Sequence, residues 1–401
     1  MRSTVRRFGS FAAFRRGVTM LLALAWVSMA SSCHRNDPAG TEFRRAAASG
    51  DITKVAALLK VNPGLVFGRS RNGATALHWA AAYDHKNVAE LLLANKADVN
   101  ARLDEGTTPL HWASSGGYND MVELLLANKA DVNSRDQYGN TPLHSAVAKD
   151  HKDVAELLLE HGADVNAKAR FGDSFLRWVA NSLHPQETNV DAANNRGWTP
   201  LHRAAEKGNT DMAALLLAHG ADVRIRNGNG YAALDIAAYY DHKDVAELLL
   251  AHGADVNARE DSGWNPLLWA ANKGNKDVAE VLLAHGANVN VKANDGTTPL
   301  QTAACYDLPD LLQLLLAGKA DVNSRDVNGN TPLHTSAYRG YKDVAEILLE
   351  SGANVDVVAR NGATPLHYAV TKGHNDVADL LRHRGGHDFG SNQLARDWYL
   401  P

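Results

Sequence analysis

The sequence has little cysteine, no apolar run long enough to span a bilayer and no excess of basic charge. Two cysteines, Cys33 and Cys305, stand in 401 residues, so a disulfide framework is excluded. The one long apolar stretch, from Val18 to Ala30, would reach only about 20 Å as a helix, short of the roughly 30 Å hydrocarbon core of a bilayer. Lys and Arg number 41 against 45 Asp and Glu, and five of the arginines (Arg2, Arg6, Arg7, Arg15, Arg16) lie in the first seventeen residues. Without those five, 36 basic residues face 45 acids, a net charge near −9 with His neutral. That balance argues against a general nucleic-acid binder, whose phosphate contacts need a basic surface. No Gly-rich phosphate loop, GxSxG or HExxH occurs, so the sequence offers no catalytic residues, cofactor, metal site or small-molecule substrate.

What is present begins with a leader. A basic segment without acids precedes the apolar run, which ends in Ala30-Ser31-Ser32-Cys33; the first acid is Asp37. Basic, apolar and small residues in that order form an export signal. The four residues resemble a bacterial lipobox, with Ala30 where Leu is usual. On that resemblance Cys33 is lipidated, becomes the mature N-terminus and provides the only membrane contact, in the periplasm or cell envelope. Residues 1–33 are then the signal and 34–41 a linker. Two alternatives stay open: cleavage after Ser28-Met29-Ala30, which leaves a soluble exported protein, and a mitochondrial-type presequence.

Beyond the leader the chain repeats. The stretch from Thr141 to Asp173 opens with Thr-Pro, a helix cap followed by the residue that suits the first helical turn. Leu143, Ala146 and Ala148 fit a helix of two turns, and a second helix runs from about Lys152 to Glu160 with Val154, Leu157 and Leu158 on one face. Gly162 stands where the chain must turn left-handed. Two helices this short cannot stabilise each other alone. The same start recurs at Thr75, Thr108, Thr141, Ser174, Thr199, Ala232, Asn265, Thr298, Thr331 and Thr364, at steps of 33 residues except for a step of 25 from Ser174 to Thr199. A weak copy at Glu42 brings the units to eleven.

TPLHWA at 108–113, HKDVAELLLEHGADVNA at 151–167 and NGNTPLH at 328–334 resemble ankyrin repeats. The resemblance implies an all-α solenoid of stacked helix-turn-helix units over 42–386, with hairpin loops projecting toward a concave groove, and a tail at 387–401. It also implies a protein partner and no shared catalytic residues. Lys60 and Arg382 replace the third Leu of the second helix in the first and last units, as end caps require, so both termini of the stack read as genuine. The unit 174–198 reads as eight residues short, keeping helix one from Phe175 to about Leu183. It is either a tolerated deletion or a hinge between 42–173 and 199–386.

The repeat accounts for most of the histidines. His78, His111, His144, His202, His334 and His367 belong to the start motif, which in the resembled family ties neighbouring turns together. His161, His219, His252 and His285 precede the turn glycine, in columns about 10 Å apart that cannot converge on a metal. Cys305, without a partnered His and acid, is a weak nucleophile. In the family, partners are read at the hairpin tips and at the exposed end of helix one. Trp198, Tyr231 and Trp264, each just before a start residue, are expected to line up exposed along the loop edge. Arg203, Lys207, Tyr239, Tyr240, Trp269, Lys273, Tyr306, Tyr338 and Arg339 extend that candidate partner surface, since exposed aromatics and Arg anchor interfaces. Packing of those aromatics between hairpins is the alternative. The reading is a non-catalytic scaffold of the envelope that binds a protein; a secreted effector and a partnerless spacer are the alternatives.

Overall fold

A computed structural model describes residues 38–170 and 196–389. Ten helix pairs follow one another: α1–α2 (Pro38–Ala48, Ile52–Val61), α3–α4 (Ala76–Ala82, Lys86–Ala94), α5–α6 (Pro109–Gly116, Asn119–Ala127) and α7–α8 (Pro142–Lys149, Lys152–Glu160). After a two-stranded hairpin, β1 (Ala169–Arg170) with β2 (Arg196–Trp198), come α9–α10 (Pro200–Lys207, Thr210–Ala218), α11–α12 (Ala233–Tyr240, Lys243–Ala251) and α13–α14 (Pro266–Lys273, Lys276–Ala284). The series continues with α15–α16 (Pro299–Cys305, Pro309–Ala317), α17–α18 (Pro332–Arg339, Lys342–Glu350) and α19–α20 (Pro365–Lys372, Asn375–His383).

Local chemistry sets these boundaries. From α3 onward the residue before each first helix is extended, Pro follows at the first turn of most, and the helix stops near a left-handed residue such as Gly208 (φ +67°). Within a pair, Leu143, Ala146, Val154, Ala155 and Leu158 are buried. First helices pack on first helices of the adjacent units and second on second, so one continuous core runs the length of the stack. No described helix is long and apolar enough to cross a membrane.

Side chains also join the units at fixed intervals. Asn100 donates to Lys129 O (3.2 Å) and accepts from the Asp131 N–H (2.8 Å) of the next unit. Asn133, Asn257, Asn290 and Asn323 repeat the arrangement. Along the hairpins, Arg69, Arg102, Arg135, Arg259, Lys292 and Arg325 each donate to the carbonyl 33 residues on. Each such bond contributes about 0.5–1.5 kcal/mol net, and the rows tie basic side chains to backbone.

The expected short unit at 174–198 is corrected by these rows. Asn166 donates to Gly220 O (3.3 Å) and accepts from the Asp222 N–H (2.9 Å), and His144 Nε2 reaches Trp198 O (3.2 Å). The carbonyl 29 residues on in other units is 54 residues on here, and the N–H 31 residues on is 56 on. Helices α7 and α9 pack directly, as do α8 and α10. Unit 141 therefore stacks on unit 199 with nothing between. Residues 171–195, which include Trp178 and the expected helix Phe175–Leu183, lie outside the described residues. The described units are ten, and the layers on both sides of the expected hinge are bonded to each other.

Both ends also differ from expectation. Helix α1 starts at Pro38, so the reading of 34–41 as linker extends too far. At the other end His387 fills the next unit's place: its N–H donates to Asp356 Oδ1 (2.8 Å) and its carbonyl accepts from Thr364 Oγ1 (2.9 Å). The aromatic end of the tail, Trp398-Tyr399-Leu400, lies outside the described residues, as do Cys33 and the leader.

Candidate functional site

The aromatics before three of the start motifs turn inward, and this overturns the expected exposed aromatic row. Trp198 is 2% exposed, Tyr231 7% and Trp264 9%. Trp269, also buried, is the hub: its ring lies 4.6 Å from Trp264, 5.4 Å from Tyr231 and 5.8 Å from Tyr239. The four rings fill the space between adjacent first helices, because an aromatic there buries more apolar area than solvent exposure would allow. In the N-terminal half Trp79 and Trp112 meet edge-on at 5.5 Å and are half-buried between first helices.

The end of helix one is where side chains reach solvent. Counting eight residues from each start gives Lys207, Tyr240, Lys273, Tyr306, Arg339 and Lys372, one per unit in succession. Each of the last four leans on the residue one short of that place in the preceding unit. Lys273 Nζ sits 4.4 Å over the Tyr239 ring, Asn272 Nδ2 donates to Tyr306 Oη (3.2 Å), Arg339 donates to Cys305 Sγ (3.7 Å), and Lys372 Nζ sits 4.4 Å over Tyr338. These side chains thus interlock across five units, with Tyr306 52% and Tyr338 44% exposed. Arg203 is turned inward and paired with Glu206. Burial pushes the Tyr240 hydroxyl up to about 12, so it stays a neutral donor, and burial also lowers the Lys273 ammonium. Asn272 and Lys372 were missed in the sequence reading; their offsets of seven and eight from the start residue were the signal.

The start-motif histidines have a different task. The Thr199 N–H donates to His202 Nδ1 (3.1 Å), and His202 Nε2–H donates to Tyr231 O of the next unit (3.0 Å). His78, His111, His144 and His334 do the same. Those contacts place the proton on Nε2, and burial holds His78, His144, His202 and His334 down to about 4. His367 departs from the pattern: its Nδ1 meets Asp388 (2.9 Å). Gln301 stands in for His in its unit, accepting from Thr298 N–H (3.0 Å) and donating to Asn330 O (2.9 Å).

Asp235 occupies the same place and accepts from the Ala232 N–H (2.8 Å). Its other oxygen is buried without a hydrogen-bond partner, and burial raises the carboxyl to about 7. On the outer side His161 and His252 each bond the carbonyl four residues back (2.9 Å). Among the described residues no three His, Cys, Asp or Glu side chains cluster as a metal site would require.

No curated protein matches the chain. A family model described as ankyrin repeats (3 copies) matches residues 11–102, 43–136, 93–169, 172–260, 257–326 and 307–393.

Proposed function

Since the chain belongs to the ankyrin-repeat family, whose members generally serve as protein–protein interaction modules, we propose that it is a non-catalytic scaffold that captures a protein partner along the ends of its first helices. The observation that carries this reading is the interlocked row from Tyr239 to Lys372. It presents Tyr, Lys and Arg, two of which (Tyr and Arg) are the usual anchors of interfaces, on rigid supports that lose little side-chain freedom on binding. Trp269 supports Tyr239 of that row, with Tyr231 and Trp264 packed on Trp269 in turn. The leader supports a place in the cell envelope, with Cys33 lipidated. The mass of the mature N-terminus tests this: a diacylated Cys33 upholds it, and a free Ser31 makes the protein a secreted one.

Replacing Tyr306, Tyr338 and Arg339 together by Ala tests the partner surface. Capture of the cross-linked partner from native membranes is expected to fall at least tenfold, with helical signal and melting temperature unchanged, because all three side chains are solvent-facing. Undiminished capture by the triple variant moves the site elsewhere.

A further inference from the structure

The first unit differs from the others in charge and in what it exposes. Residues 38–75 hold six cations, Arg44, Arg45, Lys54, Lys60, Arg69 and Arg71, against Glu42 and Asp51, a net charge of +4. Residues 76–401 hold 29 basic residues against 42 acids, a net charge near −13. On α2, Ile52, Ala56 and Lys60 fall on one side of the helix, and all three are exposed. The equivalent residues of α4 are His85, Ala89 and Leu93; Ala89 is fully buried, and His85 Nε2 bonds Ala48 O of the preceding unit (3.0 Å). The α2 side is therefore the open end of the stack. The same unit leaves Val61 86% and Phe67 61% exposed, the two highest values for large apolar side chains among the described residues.

We propose that this first unit docks on an anionic lipid surface. Two observations select lipid as the occupant. The charge is complementary and polarised: anionic headgroups attract the first unit and repel the acidic remainder, so the stack would stand away from the bilayer rather than lie along it. The chain also leads there, since Pro38 follows Cys33 by five residues, a span of at most about 17 Å. Apolar side chains beside cations are the composition of an interfacial contact, in which Val61 and Phe67 enter the acyl boundary and Lys60 and Arg45 remain at the headgroups. The inference rests on the reading that the chain is held at a membrane. It assigns the first unit a task the partner row does not perform. A second copy of the chain is a poorer occupant, because two such ends would meet with like charge.

The full matured chain carrying Phe67→Trp is mixed with vesicles containing brominated acyl chains, either phosphatidylglycerol with phosphatidylethanolamine or phosphatidylcholine alone. The unsubstituted chain supplies the background of its own tryptophans, and Val327→Trp, on a hairpin far along the stack, is the control. The fluorescence added by Phe67→Trp should be quenched at least twofold more in the anionic vesicles. That quenching should disappear at high salt or with Lys60→Glu and Arg45→Glu, and Val327→Trp should be unaffected throughout. Equal quenching in both vesicles, or none in a chain that still sediments with them, overturns the docking face while leaving the tether intact. A chain that sediments with neither vesicle overturns both. Protection of the introduced indole without lipid, together with a doubled sedimentation mass, overturns it in favour of a dimer.

Discussion

The buried start-motif side chains make stability depend on pH in two opposing directions. His78, His144, His202 and His334 titrate near 4 when folded and near 6.5 when unfolded, so the unfolded chain binds more protons between those values. Stability present above pH 6.5 is lost as pH falls toward 4, at roughly 3 kcal/mol per histidine by the low end. Asp235 acts oppositely: its folded value of about 7 lies above the unfolded one, so it favours the folded state as pH falls through 7. Thermal melts should therefore peak between about pH 6 and 7. Gln301 shows that an amide can satisfy both contacts of the start-motif histidine, so His202→Gln should keep the fold and soften the acid limb. Asp235→Asn should raise the melting temperature at pH 8, because its amide can donate where the carboxylate cannot. By the register of the other units, the acceptor is Trp264 O, 29 residues on. A melt at pH 8 that is unmoved by Asp235→Asn would show that the carboxylate is not penalised there. The sequence shows Asp235 only as an acid at the place of the motif histidine; its burial and orphaned oxygen appear once the layers are stacked.

At the scale of the element, the described helix pairs were legible in the sequence and the hairpins were not. Second helix Lys152–Glu160 falls where Val154, Leu157 and Leu158 placed it. The aromatics before each start residue were legible as aromatic but not as buried, because sequence offset does not state which way a hairpin side chain turns. Trp264→Ala should therefore act on stability, at about 3–5 kcal/mol in a chemical denaturation curve, rather than on capture alone. The segment starting at Ser174 misled for a physical reason: SFLRWVA carries Leu and Trp at the spacing of TPLHWAS, yet the asparagine and histidine contacts pass it by. Replacing 171–195 by a two-residue turn is expected to lower the melting temperature by no more than a few degrees. A fall of ten degrees or more would mean those residues are a layer of the core after all.

Across the whole molecule, each unit touches only its neighbours, so stability is a sum of layers and interfaces rather than a property of one core. The outermost layers have one interface each. Hydrogen exchange should be fastest in α1, α2, α19 and α20 and slowest around α11 to α14, where Trp264 and Trp269 add aromatic area. Uniform protection from end to end would mean that the stack opens as a single unit. The candidate partner row lies across α9 to α19, so its part on α11 and α13 is held by the slowest-exchanging layers and its α19 end by one of the fastest.

The rungs contributed by Asn100, Asn133, Asn166 and their equivalents have a further consequence. Each rung fits whatever unit follows it, since the acceptor and donor are backbone groups at one fixed place in the following unit. The fold thus has a frame, as a coding sequence has. Gaining or losing a whole unit keeps every rung in frame, and so does any length added at a hairpin tip. An addition of a few residues inside a helix pair would throw the rungs that span it out of frame. Such a chain should grow or shrink by duplication and by loops, and in few other ways.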